Sequence, residues 1–273
     1  MYNLSGKVAL VTGAGGEHGI GRAIATRLAT EGADIVLNDV CEVPYQNGRW
    51  HGIESVAEEI RNLGRKALTV VANVSKSNQV QSMIDQTIKT FGQLDILVNN
   101  AGAKAGKDRV PVVELAETDW DRVQEVNVKG VFLCCRAVAK QLINQGKGGK
   151  IINISSVAGK RGIARYASYC ASKFAVIGLT ESLALELASH HINVNAVCPG
   201  LVDTERVGHI ATATISGELS DQEKRTALVD TTAASVPWGR IAKADDVAKM
   251  AAFLASSEAD YLTGLSIRVS GGV

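Results

Sequence analysis

Apolar residues come in short unbroken runs, and nearly every run is followed by a stretch with helical periodicity. Lys7 to Val11, Asp34 to Asn38, Lys66 to Val71, Leu94 to Val98, Lys150 to Ile154, Asn193 to Val197 and Leu265 to Val269 read as strands buried on both faces. The pattern after Gly21 predicts a helix with Ile24, Ala25 and Leu28 on one side. Further helices are expected over Ile53 to Leu63, Ser77 to Phe91, Thr118 to about Gln145, Ser168 to His190 and Asp245 to Ser256, with Ser77 and Thr118 as caps. Asn127 falls inside the long fourth one, where its amide competes for backbone hydrogen bonds and so implies a kink or a functional polar contact. Strand and helix alternate with no linker, repeat or low-complexity tract. The expected fold class is therefore α/β: one doubly wound parallel sheet with helices on both faces, in a single domain over 1–273.

Ligands of such sheets bind beyond the strand C-termini, and that is where the unusual residues gather. The first strand opens onto Thr12-Gly13-Ala14-Gly15-Gly16-Glu17-His18-Gly19-Ile20-Gly21 and then a helix. Glycines permit a tight turn and close approach of backbone to a pyrophosphate, which the free N–H groups of the helix start would hold. Asp39 ends the second strand 18 residues past Gly21, close to the spacing of a carboxylate that binds adenosine ribose hydroxyls. It would repel a 2′-phosphate, and no Arg or Lys stands beside it in sequence, which favours NAD over NADP. The segment Val40 to Gly52 has turn residues and no periodicity, and its Tyr45, Trp50 and His51 are expected to pack locally. Leu201 to Trp238 is polar and weakly periodic, with one or two short helices, and suits a substrate lid over about 201–238.

Tyr169 and Lys173 are four residues apart, so on a helix they share a face. A cation beside a phenol favours the phenolate, which makes Tyr169 a candidate proton-transfer group near neutral pH. Ser155 and Ser156 stand at the end of the strand before it.

Composition narrows the partners. The chain of 273 residues is 46% hydrophobic and 21% charged, with net charge +1, which makes no case for nucleic acid or an anionic membrane. No apolar run reaches the roughly 18 residues of a membrane span, and Met1 to Gly6 is short for a signal peptide, so a cytoplasmic location is expected. Five cysteines without C-x-x-C, including the adjacent Cys134 and Cys135, read as free thiols, and Cys170 as small helix filler. The five histidines lack ligand spacing, so no metal is expected.

Taken together, TG…GIG, NNAG, N-V-K-G, ISS, YxxxK and PG closely resemble the short-chain dehydrogenase/reductase family over nearly the whole chain. The resemblance implies a Rossmann-like, seven-stranded sheet in the order 3-2-1-4-5-6-7, a secondary alcohol or ketone as substrate, and a homotetramer. It implies Asn127, Ser156, Tyr169 and Lys173 as the catalytic set, with Ser156 preferred to Ser155 because it lies 13 residues before Tyr169. Ser156 would donate to the substrate oxygen, Tyr169 would take the proton, Lys173 would lower the phenol pKa and hold the nicotinamide ribose, and Asn127 would hold a water for proton exit. Cofactor contacts would come from Gly13, Gly15, His18, Gly19, Ile20, Gly21, Asp39, Val40, Asn73, Val74, Asn99, Ala101, Gly102, Tyr169, Lys173, Pro199, Gly200, Val202 and Thr204.

The chain departs from the family pattern in four places. Gly13 and Gly19 enclose five residues instead of three, Asn73 replaces a common Asp, the segment Val40 to Gly52 is long, and Ser270 replaces an Asp before Gly271-Gly272. The expected reaction is hydride transfer between NAD and a sugar, polyol or hydroxy acid. An NADPH-dependent ketone reductase and a non-catalytic dinucleotide sensor are the alternatives. Lys104, Lys107, Arg109, Lys160, Arg161, Arg165, Arg206 and His209 fall in segments around the expected substrate pocket, as solvated charge or as partners of an anionic substrate group.

Overall fold

The strand-forming runs of the sequence become seven parallel strands in a computed structural model that describes residues 2–45 and 50–273. They are β1 (Val8–Thr12), β2 (Asp34–Asp39), β3 (Ala67–Val71), β4 (Ile96–Asn99), β5 (Gly149–Ile154), β6 (Ile192–Pro199) and β7 (Ser266–Val269). Their order is β3-β2-β1-β4-β5-β6-β7, every neighbouring pair parallel. The sheet is covered on both faces, which is why its central strands are apolar without alternation.

One layer holds α1 (Ile20–Thr30), α2 (Ile53–Asn62) and α9 (Ala244–Ala255). It packs Ile24, Leu28, Ile60, Val247 and Ala251 on Val11, Leu37 and Ile96. The other holds α3 (Ser77–Phe91), α5 (Gly130–Gln145) and α6 (Ala167–Leu187), which set Met83, Val138, Leu142 and Val176 on Leu10, Leu97 and Ile151. Each fully buried Leu of these layers favours the folded chain by about 2 kcal/mol. β1 lies between β2 and β4, so the chain runs outward in opposite directions from this point and a crevice opens beyond the strand ends. Thr12 braces it: its hydroxyl accepts from the backbone N–H of Asn100 (3.0 Å) and Ala101 (3.1 Å).

The long fourth helix is not continuous. α4 (Glu117–Gln124) passes through a π turn at Glu125–Lys129 into α5. Asn127 sits in that turn, 1% exposed, and both polar atoms of its side chain are engaged outside the helix. Neither expected cap acts as one. Lys76 and Ala116 precede the two helices; Ser77 instead accepts from Arg136 Nη2 at 3.1 Å, and Thr118 lies inside the first turn. Glu117 and Asp119 in that turn suit the positive end of the helix dipole in place of a cap.

Residues 201–238 are more ordered than their sequence pattern implies. They carry α7 (Arg206–Thr214) and the 15-residue α8 (Asp221–Ser235), whose start is fixed by a capping box between Ser220 and Glu223. α8 buries no residue fully, so it has no apolar stripe to read. Val202–Asp203 pairs with Ala242–Lys243 and ties both ends of the segment together.

Candidate active site

β5 delivers Ser155 and Ser156 to a cleft of about 690 Å³ at the C-terminal edge of the sheet. In extended backbone, successive side chains point to opposite sides. Ser155 Oγ donates to the carbonyl of Lys173 (2.9 Å) and serves packing. The Ser156 hydroxyl accepts from Ala158 N (3.1 Å) and faces the phenol of Tyr169 closely enough to lower its pKa.

Tyr169 and Lys173 stand one turn apart on α6. Lys173 Nζ lies 5.7 Å from the Tyr169 ring centroid and donates to the Ile154 carbonyl at 2.8 Å. Burial by itself would raise the Tyr169 pKa. The Lys173 and Arg206 cations, the Ser156 hydroxyl and Arg109 together outweigh it, and the phenol titrates below its ordinary value. Tyr166, three residues earlier, goes the other way: burial raises it more than Arg109 lowers it. Burial and Arg206 lower the Lys173 ammonium, although the nearby phenol works against them. Asn127 Oδ1 accepts from Ala103 N (2.9 Å) and its Nδ2 donates to Ser172 Oγ (3.0 Å), so it joins the segment after β4 to α6.

The other end of the cleft is built on the glycine turn. Gly13 has φ 66°, and a Cβ there would meet Ala101 Cα at 2.8 Å. Asn100 Nδ2 donates to the Thr12 and Gly13 carbonyls (2.9 and 2.8 Å) and holds the turn against β4. Asp39 closes it from β2, its carboxylate accepting from Gly15 N (2.9 Å) and Val40 N (2.8 Å). Burial raises this carboxyl above its ordinary pKa, against those two hydrogen bonds and Lys104. Lys104 is distant from Asp39 in sequence, so the cation that acts on this carboxylate comes from tertiary structure.

Most of the residues expected to touch a cofactor line the cleft: Gly13, Gly19, Ile20, Asp39, Val40, Asn73, Val74, Ala101, Gly102, Pro199, Gly200, Val202 and Thr204, with Tyr169 and Lys173. Gly15, His18, Gly21 and Asn99 do not. Gly15 is turned to Asp39 and Trp50, and Gly21 packs on the Gly13 carbonyl, where a Cβ would collide. Asn99 lies under the floor, where Nδ2 donates to Asn153 Oδ1 (2.8 Å), and its neighbour Asn100 takes the cleft side. The loop after β2 divides. Trp50 packs locally, donating from Nε1 to the Gly15 carbonyl (2.8 Å), but Tyr45 lines the cleft with Lys104 Nζ 4.3 Å over its ring. Residues 46–49 of that loop lie outside the described residues.

Residues 7–214 match the short chain dehydrogenase family. The chain belongs to that family. It is 38% identical to 2-dehydro-3-deoxy-D-gluconate 5-dehydrogenase of Dickeya dadantii over 271 residues, 99% of this chain and 96% of the relative. It is 40% identical to 3-oxoacyl-(acyl-carrier-protein) reductase of Staphylococcus epidermidis over 267 residues, 98% of each. Among solved structures, NAD+-bound xylitol dehydrogenase superposes with a TM-score of 0.85 at 35% identity, covering 98% of this chain and 99% of that one. The chain is thus an oxidoreductase of the short-chain dehydrogenase type.

Against that family pattern, the residues missed by motif reading are Asn100, Tyr45 and Glu205. The Glu205 carboxylate accepts from His18 N at 2.5 Å. No motif marks it, because the contact joins positions 187 apart in sequence. Among the described residues no helix is long and apolar enough to cross a membrane, and no group of three His, Cys, Asp or Glu side chains could hold a metal.

Proposed function

We propose that the protein is an NAD-dependent dehydrogenase of secondary alcohols of the sugar, polyol or hydroxy acid type. The observation that carries this reading is a phenol of lowered pKa, with Lys173 one turn away and Ser156 beside it in the lining, at one end of a cleft whose other end is Asp39 and a glycine turn. The turn fits a dinucleotide: its backbone N–H already takes an anion, the Glu205 carboxylate, and Asp39 stands where ribose hydroxyls need an acceptor.

NAD, when bound, supplies the hydride acceptor. Ser156 donates to the substrate oxygen and orients the carbinol. Tyr169, as phenolate, takes the hydroxyl proton as the carbonyl forms. Lys173 keeps the phenolate favoured and has N–H bonds left for the nicotinamide ribose. The proton then leaves past Asn127. Both side-chain atoms of Asn127 are engaged, so a water there would be held by its backbone in the π turn. Residues 201–238 act as the lid.

The test is NADH formation against a panel of polyols, hydroxy acids and simple secondary alcohols, with Tyr169→Phe beside the wild type. Turnover in the wild type and none in the variant, at unchanged NAD binding, supports the reading. NAD binding with no turnover of any alcohol or ketone points instead to a dinucleotide sensor. The NADPH-dependent reductase reading has one observation in its favour, Lys104 acting on Asp39. It would be adopted if wild type preferred NADPH. Assembly as a homotetramer is part of the proposal, with α5 and α6 as one contact, because their outer faces expose Phe132, Phe174 and Leu185.

A further inference from the structure

Among the described residues the carboxylates that line the cleft gather at one end, with Lys104 beside them. Asp39 and Glu205 lie against the glycine turn. Arg109, Arg161 and Arg206 line the cleft as well, and Arg109 and Arg206 act directly on the Tyr169 phenol. The other basic residues singled out from sequence are engaged elsewhere or lie outside the cleft. Lys104 donates to the Pro44 carbonyl, Lys160 to Ser266 and Arg165 to the Thr214 carbonyl. His209 packs near Tyr45, and Lys107 is exposed outside the cleft.

Arg109 stands apart among the three. Its side chain is 3% exposed. Its guanidinium sits 4.2 Å over the Tyr166 ring and 4.5 Å over the Tyr169 ring. Asp108 compensates only one edge: Nη1 donates to Oδ2 at 2.5 Å, while Nε is buried without an acceptor. Asp108 is itself shared, since its Oδ1 accepts from Arg122 Nη2 (3.0 Å). Arg122 pairs with Asp119 as well (3.8 Å), so the two carboxylates balance the two guanidiniums in charge, and what stays unmet at Arg109 is its Nε donor. Arg206 brings a second cation, which donates to the Gly102 and Ala103 carbonyls and has no carboxylate partner among the described residues' ion pairs.

A buried guanidinium with an unmet donor is costly unless an anion meets it, and its planar fork matches a carboxylate. Ile163, Ile210, Leu228 and Val236 give the same cleft apolar walls, interrupted by Thr232 and Ser235 of α8. A short alkyl chain can lie against the four apolar side chains at no polar cost, whereas each hydroxyl group of a polyol placed there needs a partner. We infer that the substrate is a short hydroxy acid, whose carboxylate is seated by Arg109 with Arg206 while its carbinol faces Tyr169. This rests on the dehydrogenase reading above and narrows it to one class. The carbinol C–H bond breaks and hydride passes to NAD. The O–H proton passes to Tyr169, the carbonyl forms, and the carboxylate leaves unchanged as part of a keto acid.

Matched pairs test it. The probes are racemic 2- and 3-hydroxy acids of four to six carbons, each beside its methyl ester, together with gluconate beside sorbitol. Each is oxidised with NAD by wild type, Arg109→Gln and Arg109→Lys. Wild type is expected to favour the best acid over its ester by about 10- to 100-fold in kcat/KM, the range of a charge-assisted hydrogen bond. Arg109→Gln is expected to collapse the acid/ester ratio toward one, and Arg109→Lys, which keeps the charge but not the fork, to leave it in between. Equal rates on acid and ester in wild type would overturn the inference. So would equal losses on both in Arg109→Gln, which would make Arg109 a positioning residue for Tyr169. If that variant does not fold, the wild-type ratio decides alone. Activity on esters or polyols but not on acids overturns the inference and leaves the dehydrogenase reading standing. NAD binding without turnover of any probe removes both.

Discussion

Glu205 and His18 are joined across the mouth of the cleft: the Glu205 carboxylate accepts from the His18 backbone N–H at 2.5 Å. The same carboxylate lies close to Gly16, where a Cβ would stand 3.4 Å from Oε2. A negative side chain thus occupies glycine-turn donors suited to a pyrophosphate, and the two compete by charge and by space.

Replacing Glu205 with Gln or Ala should therefore tighten NAD binding. A charge-assisted hydrogen bond is worth about 1.5–3 kcal/mol, so a fall in Kd of roughly tenfold or more is expected by fluorescence titration. Unchanged or weaker binding would show that Glu205 does not compete with the cofactor.

Oxidation should speed up with pH through the titration of Tyr169. In the proposed mechanism the phenolate is the active form, and the phenol titrates below the ordinary tyrosine value, so the rate should rise at lower pH than for an isolated phenol. Lys173→Met removes the largest of the lowering influences and should move that rise to higher pH, as well as lowering kcat by about 10²- to 10⁴-fold. A pH–rate profile with the same inflection in both proteins would detach the inflection from Tyr169.

Asp39→Ala should erode cofactor preference. It removes the proposed ribose acceptor and also the acceptor of the Gly15 and Val40 N–H groups, so kcat/KM with NAD should fall by about tenfold or more. With NADP it should rise, because Lys104 then faces a 2′-phosphate without a carboxylate in between. Parallel rates with both cofactors in wild type and variant provide the check.

Thiol reactivity should single out one residue of the five. Cys41 is exposed, while Cys134, Cys135, Cys170 and Cys198 are buried. Burial pushes Cys135 up to about 12 in spite of hydrogen bonds to Asn99 and Asn153, and raises Cys134 and Cys198 too. A chromogenic disulfide reagent should therefore titrate one thiol in the native protein and five in denaturant.

Asn153 should matter for stability more than for chemistry. Its Oδ1 accepts from Asn99 Nδ2 (2.8 Å) and its Nδ2 donates to Thr180 Oγ1 (2.9 Å), all fully buried. Asn153→Ala removes one bond from each partner, at about 1–3 kcal/mol in all, while Asn99 keeps Cys135 Sγ and Thr180 keeps the Val176 carbonyl. A clear drop in melting temperature with near-normal kcat in the surviving protein is expected.

Much of this was legible along the chain. The seven strands lie within a few residues of their apolar runs because a strand buried on both faces must be apolar throughout. The Tyr169–Lys173 pair and the Ser155-Ser156 step are local, so spacing and helix or strand geometry suffice to align them. Asn127 was marked by its poor fit to a helix, and the fold answers with a π turn. What misled were features that look alike in one dimension: Ser77 and Thr118 resemble caps, and Asn99 and Asn100 are adjacent amides on opposite sides of the sheet end.

The sequence by itself determined the sheet, the glycine turn and the spacing of the groups expected to move the proton, since each depends on periodicity and short-range geometry. The tertiary structure decided which serine faces the phenol, which asparagine holds the turn, and which of eight basic residues act on the phenol. It alone brought Lys104 to bear on Asp39, Glu205 to the glycine turn and Arg109 over Tyr169. Electrostatics acts through space, and none of those partners is within reach of a sequence motif.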